Sequence, residues 1–308
     1  MRSLDVPWRG YFAAVPTPFT EDGPLDLESL RLLIRYFINE GAHGLVINGS
    51  SGEWYAQDSE ERESVARVAV DETAGAIPVI IGVSSIAPQT TRQLIAHAGK
   101  IGADGVMFSP PPGWRLNNEE IVSYFTDLCK SSTLPVMLYN IPADVATDLA
   151  PSVTAELAEI EQVVAIKESN QDDRHLYETS LLAGDKLRIF GNLMNRPGVG
   201  LLASDWGADG YIGSGMLFGR ELSQAFEAVW VNRLDDARLF VDRLTALQND
   251  LNLPDGNGAF GGIPGQLKAI LNLIGQPAGF PRRPRLPIEG ERLDDLRRIL
   301  VAHGMEVV

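Results

Sequence analysis

The stretch VVAIKES, Val163 to Ser169, ends an apolar run with a lysine. Such a run suits a strand buried on both faces, and lysine is among the residue types least often fully buried. Lys167 therefore needs an acidic partner, a route to solvent or a chemical use. An amine held in a dry interior has its charged form disfavoured, which leaves its lone pair free to condense with a ketone. The resulting Schiff base is an electron sink: the adjacent carbon then gives up a proton, a carbon fragment or a leaving group far more easily. That chemistry needs a positioned acid and base. Tyr139, at the end of the preceding apolar run PVMLYNI, is suitably placed to supply one, with the Ser50 hydroxyl passing the proton onward. The loop NGSSGE (48 to 53) adds a second function. Gly49 and Gly52 let the backbone approach a ligand closely, and exposed N–H groups beside the Ser50 and Ser51 hydroxyls make a cradle for a carboxylate. A ketone and a carboxylate together suggest a 2-oxo acid.

Each feature taken singly has a plainer reading. Lys167 can be neutralised by Glu168 or Glu53, or lie at a solvent-filled mouth. Tyr139 can be a core aromatic with a satisfied hydroxyl. NGSSGE can be a loop into the next helix, capped by Asp58 or Ser59. The conjunction of all three at the ends of apolar runs favours chemistry.

The elements that must position these groups alternate regularly. Eight apolar runs read as strands: 10 to 19, 44 to 50, 78 to 84, 105 to 111, 135 to 141, 163 to 169, 187 to 192 and 210 to 215. Between them lie amphipathic stretches such as LESLRLLIRYFINEG, with apolar residues at three- and four-residue spacing. Several close on Gly-Ala-His-Gly or Gly-Ala-Asp-Gly (41 to 44, 102 to 105, 207 to 210), where glycine stops the helix and a strand begins at once. Eight such units with near-continuous apolar strands predict an α/β fold, a closed (β/α)8 TIM barrel, over a doubly wound open sheet. Helical segments at roughly 221 to 250, 264 to 274 and 290 to 304 predict the last barrel helix and a small C-terminal helical subdomain, with the division at 1–235 and 236–308. In a barrel of this kind the reacting groups sit at the C-terminal strand ends, which adds Asn192 and Ser214 to the candidates.

The totals narrow the function. With 308 residues, 44% of them hydrophobic and 22% charged, the chain is an ordinary globular protein. A net charge of −15 argues against nucleic acid as a partner, and the one basic run, RRPR at 282 to 285, reads as a solvated loop. The single cysteine, Cys129, fits a reducing compartment. No run reaches the ~18 apolar residues of a membrane span and no signal-peptide core is visible, so a cytoplasmic protein without a membrane partner is expected. His43, His97, His175 and His303 are scattered without metal-ligand spacing, so no metal is expected.

VPTPF, GSSGE, LYNIP and AIKES, in that order and at those separations, resemble the dihydrodipicolinate synthase and N-acetylneuraminate lyase family. The likeness runs over nearly the whole chain, including the PRLPI segment (284 to 288). It implies a cofactor-free class I enzyme, commonly a homotetramer or dimer. Lys167 would form the Schiff base with pyruvate or another 2-oxo acid, Tyr139 would move protons, and Ser50 would relay them. Ser51 with its loop would hold the carboxylate. The Ile212 carbonyl would face the imine, and Ser214 matches a substrate-contacting serine of the lyase branch.

The departures concern the second substrate. Where the synthase branch has a Pro-Tyr-Tyr segment whose second tyrosine crosses a subunit interface, this chain has SPPPGWRL, with Trp114 as the residue to fill the space. The synthase arginine after Tyr-Asn-x-Pro is missing from YNIPADVATD, and Asp144 stands near its place. The acidic residues of the sialic-acid branch are replaced by Asn192, Asn195 and Arg196, of which Arg196 reads either as a contact to an anionic tail or as a first-turn residue facing water. The expected function is a carbon–carbon lyase or synthase acting on pyruvate or a longer 2-oxo acid. The alternatives are a dehydratase of a 2-oxo-3-deoxy sugar acid, dihydrodipicolinate synthase itself, and a barrel that binds a small acid without turnover.

Overall fold

A computed structural model of the chain describes residues 6–204, 207–213, 219–253 and 257–308. The apolar runs form β1 (Gly10–Ala14), β2 (Gly44–Ile47), β3 (Val79–Gly82), β4 (Gly105–Phe108), β5 (Val136–Asn140), β6 (Val163–Glu168), β7 (Arg188–Phe190) and β8 (Ala208–Gly213). They pair in parallel in chain order, and β8 returns to β1 with Tyr11 opposite Tyr211. The sheet is therefore a closed barrel, and the open-sheet alternative falls away.

Helices cover its outside: α1 (Leu27–Asn39), α2 (Ser59–Thr73), α3 (Pro88–Ile101), α4 (Asn118–Cys129), α5 (Pro142–Val145), α6 (Pro151–Leu157), α7 (Asp173–Ala183) and α8 (Arg196–Leu202). Four more follow β8: α9 (Glu221–Trp230), α10 (Leu234–Leu251), α11 (Ile263–Leu273) and α12 (Glu291–Ala302). No described helix is long and apolar enough to cross a membrane.

The strands are buried on both faces because two cores meet at the sheet. Phe12, Val46, Ile80, Met107, Met137, Ala165 and Phe190 fill the barrel axis, with Trp8 closing its N-terminal end. Their sequence neighbours, such as Tyr11, Leu45, Ile81, Val106 and Ile166, pack instead among the helices. This two-residue alternation is the ordinary consequence of the pleat. The helix stops are as expected, with Gly41, Gly102 and Gly207 at φ +81°, +79° and +86°, where a side chain would be strained.

The segment read as one helix from 221 to 250 is two. Asn232 takes a left-handed φ of 59°, and the Arg233 N–H turns back to donate to the Ala228 carbonyl at 2.7 Å. α10 consequently sets off in a new direction and serves two cores. Phe240, Val241 and Leu244 pack with the barrel's outer layer, while Leu247 and Leu251 join Ile270, Leu273, Leu296 and Leu300 in a separate apolar cluster.

The ends of β2 and β3 approach very closely. A Cβ at Gly82 would lie 2.4 Å from the Asn48 carbonyl oxygen, whereas one at Gly49 would meet nothing nearer than the Val46 side chain at 3.6 Å. Gly82→Ala should therefore destabilise the fold by about 1–3 kcal/mol through overpacking against backbone. Gly49→Ala should leave the melting temperature near that of the parent. Thermal unfolding of the two variants checks both expectations.

Candidate active site

Register decides which residues meet at the barrel mouth. β5 and β6 pair with Tyr139 opposite Lys167 and Asn140 opposite Glu168. Tyr139 stands two residues after the axial Met137, and Lys167 two after the axial Ala165, so both point inward. The Lys167 amine lies over the Tyr139 ring, 4.3 Å from its centroid. The Tyr139 hydroxyl in turn lies 3.4 Å from Ser50 Oγ, which arrives from β2 across the mouth. That distance is long for two hydroxyls, so the contact is a weak one. Tyr139 is 4% exposed, while Lys167 and Ser50 keep a partial opening to solvent.

Neither acid that could neutralise the lysine does so. Glu168 follows Lys167 by one residue and so faces the opposite side of the sheet, and Glu53 is paired with Lys268. Among the described residues, Lys167 has no carboxylate within ion-pair distance.

On the outward side a polar network fixes the same two strand ends. Asn140 Nδ2 donates to Glu168 Oε1 and to Asp148 Oδ1, both at 2.9 Å, and the Leu149 N–H donates to Asn140 Oδ1 at 3.0 Å. Asn170 donates from its backbone to Glu168 Oε1 and from its side chain to Asp148. His175, from α7, closes the network with Nδ1 3.1 Å from Glu168 Oε2. Its Nε2 lies 3.2 Å from Asp148 Oδ1, near enough for charge attraction although out of line for a hydrogen bond. Burial works to lower the His175 pKa, but the hydrogen bond and charge of Glu168, helped by Asp148, outweigh it and leave the pKa raised.

The NGSSGE loop is built differently from the sequence expectation. Residues 50–52 form a tight turn, with the Gly52 N–H donating to Gly49 O at 3.0 Å, and residues 54–56 form a second. The left-handed positions are Asn48 (φ 56°) and Glu53 (φ 54°), not the glycines. Gly49 has an ordinary φ of −80°, and Gly52 is tight only against Thr17 Oγ1 and the Val15 carbonyl, each 3.3 Å from where a Cβ would sit. Asp58 caps α2 in a reciprocal capping box with Glu61.

The remaining candidates are placed less centrally. Ile212 is in β8 and joins the axial cluster at 6% exposure. Asn192 is exposed just beyond β7, its carbonyl accepting from the Asn195 side chain at 3.2 Å. Ser214 lies outside the described residues. Trp114 is 76% exposed and so fills no gap in its own chain's site. Arg196 opens α8 and makes a forked ion pair with Asp242 of α10, at 2.7 and 2.6 Å, so it braces two helices on the surface. Asp144, on α5, is exposed.

One supporting residue escaped sequence reasoning although its signal was present. Arg62 falls on the same helical stripe as Val65, Ala66, Ala69 and Thr73, all buried. Its guanidinium donates to the Ser84 and Gly82 carbonyls at 2.9 and 2.8 Å, and its own carbonyl accepts from the Asn48 side chain. It thereby holds the ends of β2 and β3 together, and burial draws its pKa down to about 10. A charge on an apolar stripe was the available clue.

Comparison with known proteins extends the resemblance. The model of the dihydrodipicolinate synthetase family matches residues 7–303. An uncharacterized DapA-like lyase of Rhizobium meliloti is 32% identical, the alignment covering 96% of this chain and 98% of the relative. The 4-hydroxy-tetrahydrodipicolinate synthase of Acidothermus cellulolyticus is also 32% identical, with 97% and 94% covered. Among solved structures, YagE of Escherichia coli K12 in complex with pyruvate superposes with a TM-score of 0.88 at 27% identity, over 97% of this chain and all of the other.

The His175 pairing has a pH signature. A raised folded-state pKa contributes stability that is fully present below the unfolded value of roughly 6.5 and is lost as pH rises through the folded value. His175→Gln should therefore melt below the parent in mild acid, and the gap should close on the alkaline side. Melting curves of the two proteins across pH 5 to 9 measure that gap; a constant difference would refute the assignment.

Proposed function

We propose that this chain, a lyase belonging to the dihydrodipicolinate synthetase family, acts on pyruvate or another 2-oxo acid through an imine on Lys167. The observation that carries the reading is the convergence of the Lys167 amine, the Tyr139 phenol and the Ser50 hydroxyl from three strands at one barrel mouth. Lys167 attacks the ketone carbon, and loss of water leaves the iminium. Tyr139 moves protons to and from the reacting atoms, and Ser50 passes them on. Ser51 and the loop around Gly49 receive the carboxylate, with Ile212, Ser214 and Asn192 as the further substrate contacts. The pyruvate complex of YagE supports the choice of ligand.

The iminium serves equally for aldol cleavage, condensation or expulsion of water, so the reaction follows from the second substrate. An exposed Asp144 where the synthase branch has an arginine weighs against a carboxylate-bearing aldehyde and hence against dihydrodipicolinate synthesis. A hydroxylated partner suits the site better, which keeps the dehydratase of a 2-oxo-3-deoxy sugar acid as the second reading. We further propose that the protein acts in the cytoplasm as a homo-oligomer.

Borohydride reduction in the presence of pyruvate should attach the three-carbon acid to the peptide containing Lys167, and Lys167→Arg should abolish the adduct. Tyr139→Phe should slow turnover by about 10²–10⁴ while still permitting some imine formation. Absence of any adduct across a panel of 2-oxo acids would leave only the non-catalytic binder. Product analysis with 2-oxo-3-deoxy sugar acids separates cleavage, which releases pyruvate, from dehydration, which does not.

A further inference from the structure

The loop assigned to the carboxylate is braced by side chains from far along the chain as well as by its own turns. Glu53, the left-handed residue between its two tight turns, is wholly buried, and so is the lysine that it meets. Lys268 of α11 donates to Glu53 Oε1 at 2.5 Å and to the Phe280 carbonyl at 2.8 Å. The other Glu53 oxygen accepts the Arg282 backbone N–H at 3.0 Å. The Arg282 guanidinium continues along the same stretch, donating to the Ala56 carbonyl at 2.8 Å and forking onto Glu61 at 2.7 and 2.8 Å. It also donates to the Gly23 carbonyl in the loop between β1 and α1. Both cations approach the Phe19 ring, its centroid 4.5 Å from Lys268 Nζ and 4.0 Å from Arg282 Cζ. Residues 53 to 61 are thus gripped at both ends by a segment more than 200 residues later in the chain.

The grip is specific in kind. A buried carboxylate must be paired and hydrogen-bonded, and among the described residues each oxygen of Glu53 finds its donor in the C-terminal segment. Burial draws the Lys268 ammonium down to about 8 against the opposing pull of Glu53. Glu53 cannot rotate away without stranding a charge. Its left-handed backbone follows the 50–52 turn directly, with its N–H donating to the Ser50 carbonyl at 3.1 Å, so the ion pair is anchored at the residue where that turn ends.

We propose that Lys268 is a positioning residue for the carboxylate cradle: through its buried ion pair with Glu53 it holds the Ser50–Ser51 turn in the shape that receives the carboxylate of the 2-oxo acid. The proposal rests on the reading that this loop binds the carboxylate, and it assigns α11 and residues 280–282 a part in substrate affinity although none of them lines the reacting atoms.

The test is borohydride trapping with pyruvate on the full chain, following the adduct on Lys167 against pyruvate concentration. In Lys268→Met the concentration for half-maximal trapping should rise by about tenfold, while the ceiling at saturating pyruvate stays within about twofold of the parent. Because that variant leaves Glu53 buried and unpaired, the charge-free double variant Glu53→Gln/Lys268→Met is run beside it, and should show the same shift. Whichever variants retain the parent's circular dichroism are scored. An unchanged half-saturation in a folded variant, or a lost ceiling at unchanged half-saturation, overturns the positioning role while the imine reading stands. No adduct in the parent itself overturns both.

Discussion

The site depends on the parity of a β-strand. Successive side chains point to opposite faces, so one residue step at the ends of β5 and β6 separates the amine and phenol at the barrel mouth from a carboxylate and amide held in a polar network outside. Tyr139 and Lys167 take the inner positions, and Asn140 and Glu168 take the outer ones at the same register. The outer pair is held by Asp148, Asn170 and His175. It acts as a jig for the inner pair: the backbone at each strand end is fixed from outside, so the phenol and the amine meet in one geometry. A slip of one residue in β6 would bring a carboxylate into the barrel and put the amine among the acids.

Much of this was legible in the chain because the relevant signals are local. The eight apolar runs, the Gly-Ala-x-Gly stops and the Asp58 cap each depend on neighbours within a few residues, and each lies close to where it was read. The lysine stood out because its type conflicts with its surroundings. The convergence of Lys167, Tyr139 and Ser50 could be inferred from strand ends, since a barrel brings all such ends to one rim. What local patterns do not carry is long-range pairing. Glu53 was a possible partner of Lys167, but its true partner lies in α11. Arg282 looked like part of a solvated run, yet its guanidinium is spent on Gly23, Ala56 and Glu61. The break at Asn232 was hidden because apolar spacing continues across it, and only a left-handed backbone reveals the turn.

The half of the site proposed to receive the second substrate has a different character from the half proposed to hold the imine. Imine chemistry needs few groups, and two of the three proposed, Lys167 and Tyr139, are strand residues. The acceptor side is made from loops: the proline-rich segment with its protruding Trp114, the short α5 with Asp144, and the rim beyond β7 with Asn192. Loops tolerate exchange because their changes do not propagate into the packed layers. Arg196 illustrates the limit of reading such positions by type alone, since its charge is taken up by Asp242 in bracing α8 against α10.

α10 carries one further implication. Its first half packs into the barrel's outer layer and its second half into the cluster formed with α11 and α12, so a single helix is shared by two apolar clusters. Chimeras that graft the tail of one relative onto the barrel of another would have to match that helix at both ends. They would also have to carry the glutamate of one parent and the lysine of the other in compatible places. A tail that lacked either match would strand the Glu53 carboxylate and part of the apolar face of α10.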